Sequence, residues 1–214
     1  MLGWLGVLTS LCISLPQFLL VVRTGNTRGI AVMSWMIGLG TGLAWLSHGI
    51  KLASVPQIVC NSWGLVATLV ILWFLHRNRR YTPWLLVVPG LILALALVGL
   101  DWRVSSAAFG MAVIVPGAFG MLRQGLALMR APNVTGVAIP TWIAQVINQI
   151  VWISWGVVGH DAGIKISASV SLVVASFVLT LRLLRAAGHG PWLSRDPLRG
   201  LSFLTRRLVS TGRR

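Results

Sequence analysis

Seven apolar stretches separated by short polar breaks occupy most of the chain. They run near residues 3–22, 30–50, 55–75, 83–100, 104–126, 137–158 and 162–184. Each has about the 20 residues that a helix needs to cross a hydrocarbon core. The breaks read RTGNTRG, KLASVP, HRNRRYTP, LDWR, RAPNVTG and GHDAG. Gly, Pro, Asn, Asp and Arg are what turns at a membrane surface require. The pattern predicts an all-α membrane protein with seven transmembrane helices. The fourth stretch, WLLVVPGLILALALVGL, carries almost no polar side chain and is expected to be a lipid-facing span or a connector. Residues 186–214 form a basic tail. There Leu198, Leu201, Leu204, Leu208 and Val209 stand opposite Arg199, Arg206 and Arg207, a pattern that fits either an interfacial amphipathic helix or a disordered segment.

Composition narrows the class. Of 214 residues, 56% are hydrophobic and 10% charged. A soluble domain carries about 25% charged residues, so so little charge points to a lipid surrounding. The first residues, MLGWLGVL, have no basic segment or small-residue cleavage site and are expected to belong to the first helix. Cys12 and Cys60 both lie inside apolar stretches, where small buried hydrophobes are expected and a disulfide is not.

The net charge of +15 is distributed as a topology signal, and no nucleic-acid-binding module accompanies it. With the N-terminus outside, the inside segments hold 15 basic residues, including Arg23, Arg28, Arg77, Arg79, Arg80, Arg123, Arg130 and the tail arginines. The outside segments hold three, Lys51, Arg103 and Lys165. The positive-inside rule then predicts N-outside, C-cytoplasmic with seven spans in a plasma (inner) membrane. The tail would be drawn to anionic lipid.

An offset of 107 residues lays the chain on itself. RTGNTRGIAVMSW (23–35) falls on RAPNVTGVAIPTW (130–142), pairing Arg23 with Arg130, Asn26 with Asn133, Gly29 with Gly136 and Trp35 with Trp142. The same register carries Trp45 onto Trp152 and Gly49 onto Gly156. Two three-helix units are implied, residues 1–80 and 104–185, joined by a linker helix at 81–103, with 186–214 as the tail. Three is odd, so the extra helix makes the two units parallel. Transporters built from parallel repeats bind substrate near the midplane, at the repeat interface.

Polar residues in these spans follow one face. Ser34, Gly38, Thr41 and Trp45 recur at helical spacing, and Thr141, Gln145, Asn148 and Trp152 repeat the stripe 107 residues on. Asn148 beside Trp152 predicts a cavity wall. Thr41 alone is better explained as glue between helices. Asn61 needs a partner, either a ligand hydroxyl or neighbouring backbone. Ser10, Ser14 and Gln17 line one face of the first helix. All three acidic residues, Asp101, Asp161 and Asp196, are expected in loops or the tail, which disfavours proton coupling. No metal-ligand cluster, nucleophile motif or phosphate loop is present, so neither a cofactor nor enzymatic activity is expected.

The three-one-three organisation, Pro16–Gln17 closing the first helix, the motif TRGIAVMSW, and a Trp followed sixteen residues later by Asn in N-x-x-G resemble the SWEET family of the PQ-loop class. The resemblance covers roughly residues 3–185. It implies facilitative sugar transport by alternating access, with a pocket lined by Trp45 and Asn61 of the first unit and Trp152 of the second. Ala168 occupies the second unit's Asn position, so Asn148 and Ser14 are added as candidate binding residues. The resemblance further implies hinges at Pro16–Gln17, Pro116 and Pro140. It places His48 where the family carries a gate tyrosine. The half-size relatives dimerise, and a chain with both units does not require a partner. A proton-coupled amino-acid exporter of the PQ-loop class and a seven-helix receptor or sorting protein are the alternatives. A reporter that fluoresces only in the cytoplasm, fused after Arg214, is expected to light up. The same reporter fused before Met1 is expected to stay dark.

Overall fold

The computed structural model of the protein describes residues 1–27, 30–130 and 139–189, without the side chains of Gln17 and Ala127. These residues form α1 (Leu2–Thr24), α2 (Val32–Lys51), α3 (Val55–Arg79), α4 (Pro83–Arg103), α5 (Ser106–Arg130), α6 (Ile139–Val158) and α7 (Ala162–Ala186). The register pairs at Gly29, Asn133 and Gly136, and the tail beyond residue 189, lie outside the described residues. Five helices, α1, α3, α4, α5 and α7, are long and apolar enough to cross a membrane. The 20-residue α2 and α6 fall short of that mark. Both carry polar positions along one face.

Local chemistry ends the helices where the breaks predicted. Gly25 closes α1 in the left-handed region (φ 62°), and its N–H donates to the Val21 carbonyl at 2.8 Å. Pro56 and Pro83 sit in the first turns of α3 and α4, where a missing N–H breaks no helical bond. Pro140 follows Ile139, the first described residue of α6. Pro16 and Pro116 do lie inside α1 and α5.

Side chains pack in three apolar clusters. One joins Val21 of α1, Leu39 of α2, Leu65, Ile71, Leu72 and Leu75 of α3, and Leu86 of α4. A second joins Leu128, Trp142, Ala175, Val178 and Leu181 from α5, α6 and α7. The third ties Ala44 of α2 to Leu97 of α4 and to Phe109 and Val113 of α5. Thus α3 packs on α1 and α2, α7 packs on α5 and α6, and α1 lies against α6. Away from these contacts the surface is apolar, with Trp84, Leu95 and Val173 at least 70% exposed. Such a surface is suited to lipid and costly in water.

α4, expected to be a lipid-facing span or a connector, also buries one face. Its residues Leu86, Gly90, Ala94, Leu97 and Asp101 are all buried, at spacings of four, four, three and four. They make one helical face against α2, while Leu91, Ile92 and Leu95 face outward. The two glycines Gly40 and Gly90 set the approach. A Cβ on Gly90 would lie 2.7 Å from the Met36 carbonyl, and one on Gly40 would lie 2.7 Å from the Gly90 carbonyl. The same face carries Asp101 inward. The helix runs on to Arg103, so Asp101 is a buried helical residue and not the loop carboxylate expected from LDWR.

The C-terminal ends of α2 and α6 differ by 107 residues, and α3 and α7 differ by 107 at both ends. The turns between them match bond for bond. Ser54 N–H donates to Gly49 O at 2.9 Å, and Asp161 N–H donates to Gly156 O at 2.8 Å. Ala53 (φ 50°) and His160 (φ 53°) occupy the left-handed region in equivalent places. Gly49 and Gly156 each admit the following helix, with a hypothetical Cβ meeting Gln57 and Ile58 in one case and Ile164 and Lys165 in the other. Gly90→Ala should force α2 and α4 apart, costing about 1–3 kcal/mol as overpacking does. Gly64→Ala, whose Cβ meets nothing within 4 Å, should be neutral or slightly stabilising. Thermal unfolding of the two variants in detergent checks the contrast.

Candidate functional site

A cavity of roughly 240 Å³ lies between the α1–α3 and α5–α7 helices. Trp45, Asn61, Asn148 and Trp152, named from the sequence, all line it. Ala168 lines it as well, with Ser167 beside it. Of the two polar stripes, only the Trp45, Asn148 and Trp152 positions reach the cavity, together with Gln149. Thr41 turns back on its own helix and donates to the Ile37 carbonyl at 3.0 Å.

A short relay fixes the α1–α6 wall. The Trp152 indole N–H donates to Ser10 Oγ at 3.2 Å. Ser10 in turn donates to Asn148 Oδ1 at 3.1 Å, and Thr9 donates to the same oxygen at 2.6 Å. With Oδ1 doubly occupied, the Asn148 amide nitrogen has no protein partner among the described residues and is the donor left for a ligand. Gly6 allows this packing, since a Cβ there would lie 2.9 Å from the indole. Asn61 is the complement. Its amide nitrogen donates to the Gln57 carbonyl at 2.8 Å, so the neighbouring backbone satisfies that half. Its carboxamide oxygen accepts no protein hydrogen bond among the described residues. The cavity therefore offers free amide donors and acceptors, among them the Asn148 nitrogen, the Asn61 oxygen and the side chain of Gln149, together with two indoles. That set matches an uncharged ligand with hydroxyl groups and apolar C–H faces.

Ser14 does not line the cavity. It accepts from the Trp63 indole at 3.2 Å and donates to the Ser10 carbonyl at 3.0 Å, so it holds α3 against α1. Trp63 is thus an interhelical residue, and its ring also meets Phe18 edge-on. Cys60 lines the cavity and Cys12 is exposed, both as free thiols. Gln17 lies in α1, and its side chain is outside those described.

One end of the cavity is capped by a cluster in which His48 is wholly buried. His48 follows Trp45 by one helical turn. Its ring meets Trp45 edge-on and stacks on Phe109 with centroids 4.9 Å apart. Nδ1 of His48 lies 2.9 Å from Asp101 Oδ2, and Nε2 lies 3.1 Å from both oxygens of Asp161. Lys51 donates to Asp101 Oδ1 at 3.0 Å and to its carbonyl at 2.7 Å. Ser106 of α5 donates to Asp101 at 3.1 Å, and Gln57 Nε2 of α3 donates to Asp161 Oδ2 at 3.1 Å. Asp161 also caps α7, accepting the Ile164 N–H at 3.0 Å. Burial alone would raise the pKa of Asp161. The bonds from His48, Ile164 and Gln57 outweigh burial and hold the carboxyl below its ordinary range.

Two of these groups were expected in loops. They are buried because α4 extends past Asp101 and because the turn before α7 points Asp161 inward. Asp161 keeps its expected place in a turn, and what the expectation missed is that both carboxylates are buried, at helix ends. The face Leu86-Gly90-Ala94-Leu97-Asp101 carried the signal for Asp101. For Asp161 the signal was the GHDAG turn, an acidic residue just before a helical run. The first turn has Ser54 in the matching place, with its hydroxyl buried and unpartnered, so no equivalent of the Asp161 contact forms there.

The chain is similar to a sugar transporter. It is 25% identical over 68 residues to the sugar transporter SemiSWEET of Escherichia coli (strain UMEA 3162-1). The match covers 31% of this chain and 76% of that relative, whose length is thus well under half of this chain's. No protein-family model matches the chain.

His48→Ala would leave two carboxylates buried without their shared partner. The expected loss is about 3–5 kcal/mol of stability. Adding Asp161→Asn to that variant should restore part of the loss, because one uncompensated charge disappears. Unfolding of the two single variants and the double variant in detergent measures the coupling, and additive losses would show that the groups do not interact.

Proposed function

We propose that the protein is a facilitative transporter that moves a small sugar across the inner membrane by alternating access. The observation that carries this reading is the convergence of Trp45, Asn61, Asn148 and Trp152, residues far apart in the chain, on one cavity between two sets of helices. Indole faces pack on sugar C–H faces with little entropy cost, and the free amide groups discriminate hydroxyls. The similarity to a sugar transporter supports the same substrate class.

In this reading all seven helices span. α2 and α6 are permitted their polar faces because those faces line the cavity and not lipid. Residues 1–80 and 104–185 are two parallel three-helix units, and α4 (within 81–103) is the linker that keeps them parallel. The matched turns after α2 and α6 support a common origin for the units. With the N-terminus outside and the basic tail (186–214) inside, on anionic lipid, the His48 cluster caps the external end of the cavity. Pro16 and Pro116, each in the first helix of its unit, serve as the hinges, because each removes a ladder bond there. One chain suffices for a complete cavity.

Labelled glucose and sucrose uptake into proteoliposomes tests the proposal. Wild type should equilibrate at least one of them without an imposed ion gradient. Trp45→Ala and Asn61→Ala should each slow uptake by about tenfold or more, the effect of losing about 1.4 kcal/mol of binding. Ligand binding by folded protein with no solute crossing would favour a receptor. Crossing by an amino acid in place of a sugar would favour the exporter.

A further inference from the structure

We infer that His48 is a proton-binding site whose occupancy closes the external end of the cavity, so that opening outward releases a proton. The inference rests on the alternating-access reading for its direction.

Hydrogen-bond bookkeeping at the cluster carries it. An ionised carboxylate only accepts, and a neutral imidazole has one donor nitrogen and one acceptor nitrogen. Both ring nitrogens of His48 face carboxylate oxygens, at 2.9 Å for Asp101 and 3.1 Å for Asp161. Each contact needs a proton, whichever partner carries it. A neutral His48 between two ionised aspartates supplies only one, and a lone pair would then face a carboxylate with no water to separate them. The closed arrangement therefore holds one proton more than those separated groups do.

Charge leads to the same count. The groups that face His48 are Lys51 of its own helix, Asp101 of α4, Asp161 before α7 and the uncharged Gln57 of α3. From α5 it meets Phe109, with Ser106 on the far side of Asp101. With His48 protonated, two cations meet two anions. Without that proton a net negative charge is buried.

The contacts also span the surfaces that must part. His48 and Asp101 belong to α2 and α4, whereas Asp161 leads into α7, which packs on α5 and α6. Gln57, lining the cavity just beneath, reaches to Asp161 from α3, and its Oε1 is buried without a partner. Opening the end would hydrate Asp161 and His48 separately, and neither would then require the shared proton. Acid therefore favours closure, and raising pH favours opening. His48 rests on Trp45, so the proton site adjoins the cavity wall.

Cys60, on the cavity wall, reports the opening without any transported solute. In a Cys12→Ser background, in sealed right-side-out vesicles, its alkylation by an external membrane-impermeant thiol reagent is followed from about pH 5 to 9, the span around an ordinary histidine titration. Dividing each rate by that of the same protein carrying His48→Gln removes the thiol's own ionisation. The ratio should rise with pH by up to about tenfold per unit, the limit for one proton released per opening. His160→Gln, an exposed histidine in the neighbouring turn, should leave that rise intact.

Asp161→Asn guards against failure of the glutamine variant to fold. Its amide can donate to a neutral Nε2 and to Gln57 Oε1 after that side chain flips, so closure no longer needs the extra proton and the rate should lose its histidine-dependent rise. A wild-type ratio flat with pH, or a rise retained in Asp161→Asn, overturns the inference even where sugar uptake is intact. A pH-dependent ratio in protein that moves no sugar supports the proton site and counts against the substrate reading alone.

Discussion

The imidazole of His48 joins α2 to α4 through Asp101 and to the start of α7 through Asp161, while Gln57 of α3 and Ser106 of α5 bond the same two carboxylates. Five of the seven helices thus meet at one cluster that excludes solvent. Buried charge is tolerated only when paired and hydrogen-bonded, so the arrangement leaves little freedom in how those helix ends sit. Small residues let the backbone come close enough to make it possible. Gly163, beside Asp161, leaves room where a Cβ would lie 3.3 Å from the His48 ring and 3.0 Å from the Ser106 carbonyl.

The same rule of pairing organises the cavity. Where the outward faces are Leu, Val and Ile, polar side chains either bond one another or line a space in which a ligand or water can bond them. Ser10, Thr9, Trp152 and Asn148 satisfy each other along the α1–α6 contact, and Asn61 takes half of its needs from its own helix. What remains unpaired points to a ligand with both donors and acceptors. The departure from symmetry is of the same kind. Ala168 gives the α7 wall no carboxamide, and the polar contribution of that half comes from Asn148 on α6.

The two halves resemble each other most in their turns and least in their chemistry. Ser54 and Asp161 occupy equivalent caps, and the residues at 48 and 155, inside α2 and α6, are His and Trp. Only the second half has an acid at its cap, and only the first has the base that meets it.

Periodicity and composition determined the helices, because apolar run length and turn chemistry act locally. Every expected stretch corresponds to a helix, and the larger boundary errors lie at helix ends, such as those of α3 and α4. The tryptophans and asparagines that line the cavity were legible too, since they stand out in apolar runs. Tertiary structure decided which partner Asp101 and Asp161 share. A carboxylate near a helix end reads as a loop residue unless its partner is known, and His48 lies 53 residues from one and 113 from the other. It also decided that Ser14 holds α3 against α1 while Ser10, one turn earlier, lines the cavity. Both serines lie along one side of α1, and only the crossing of α3 and α6 over that side separates their roles.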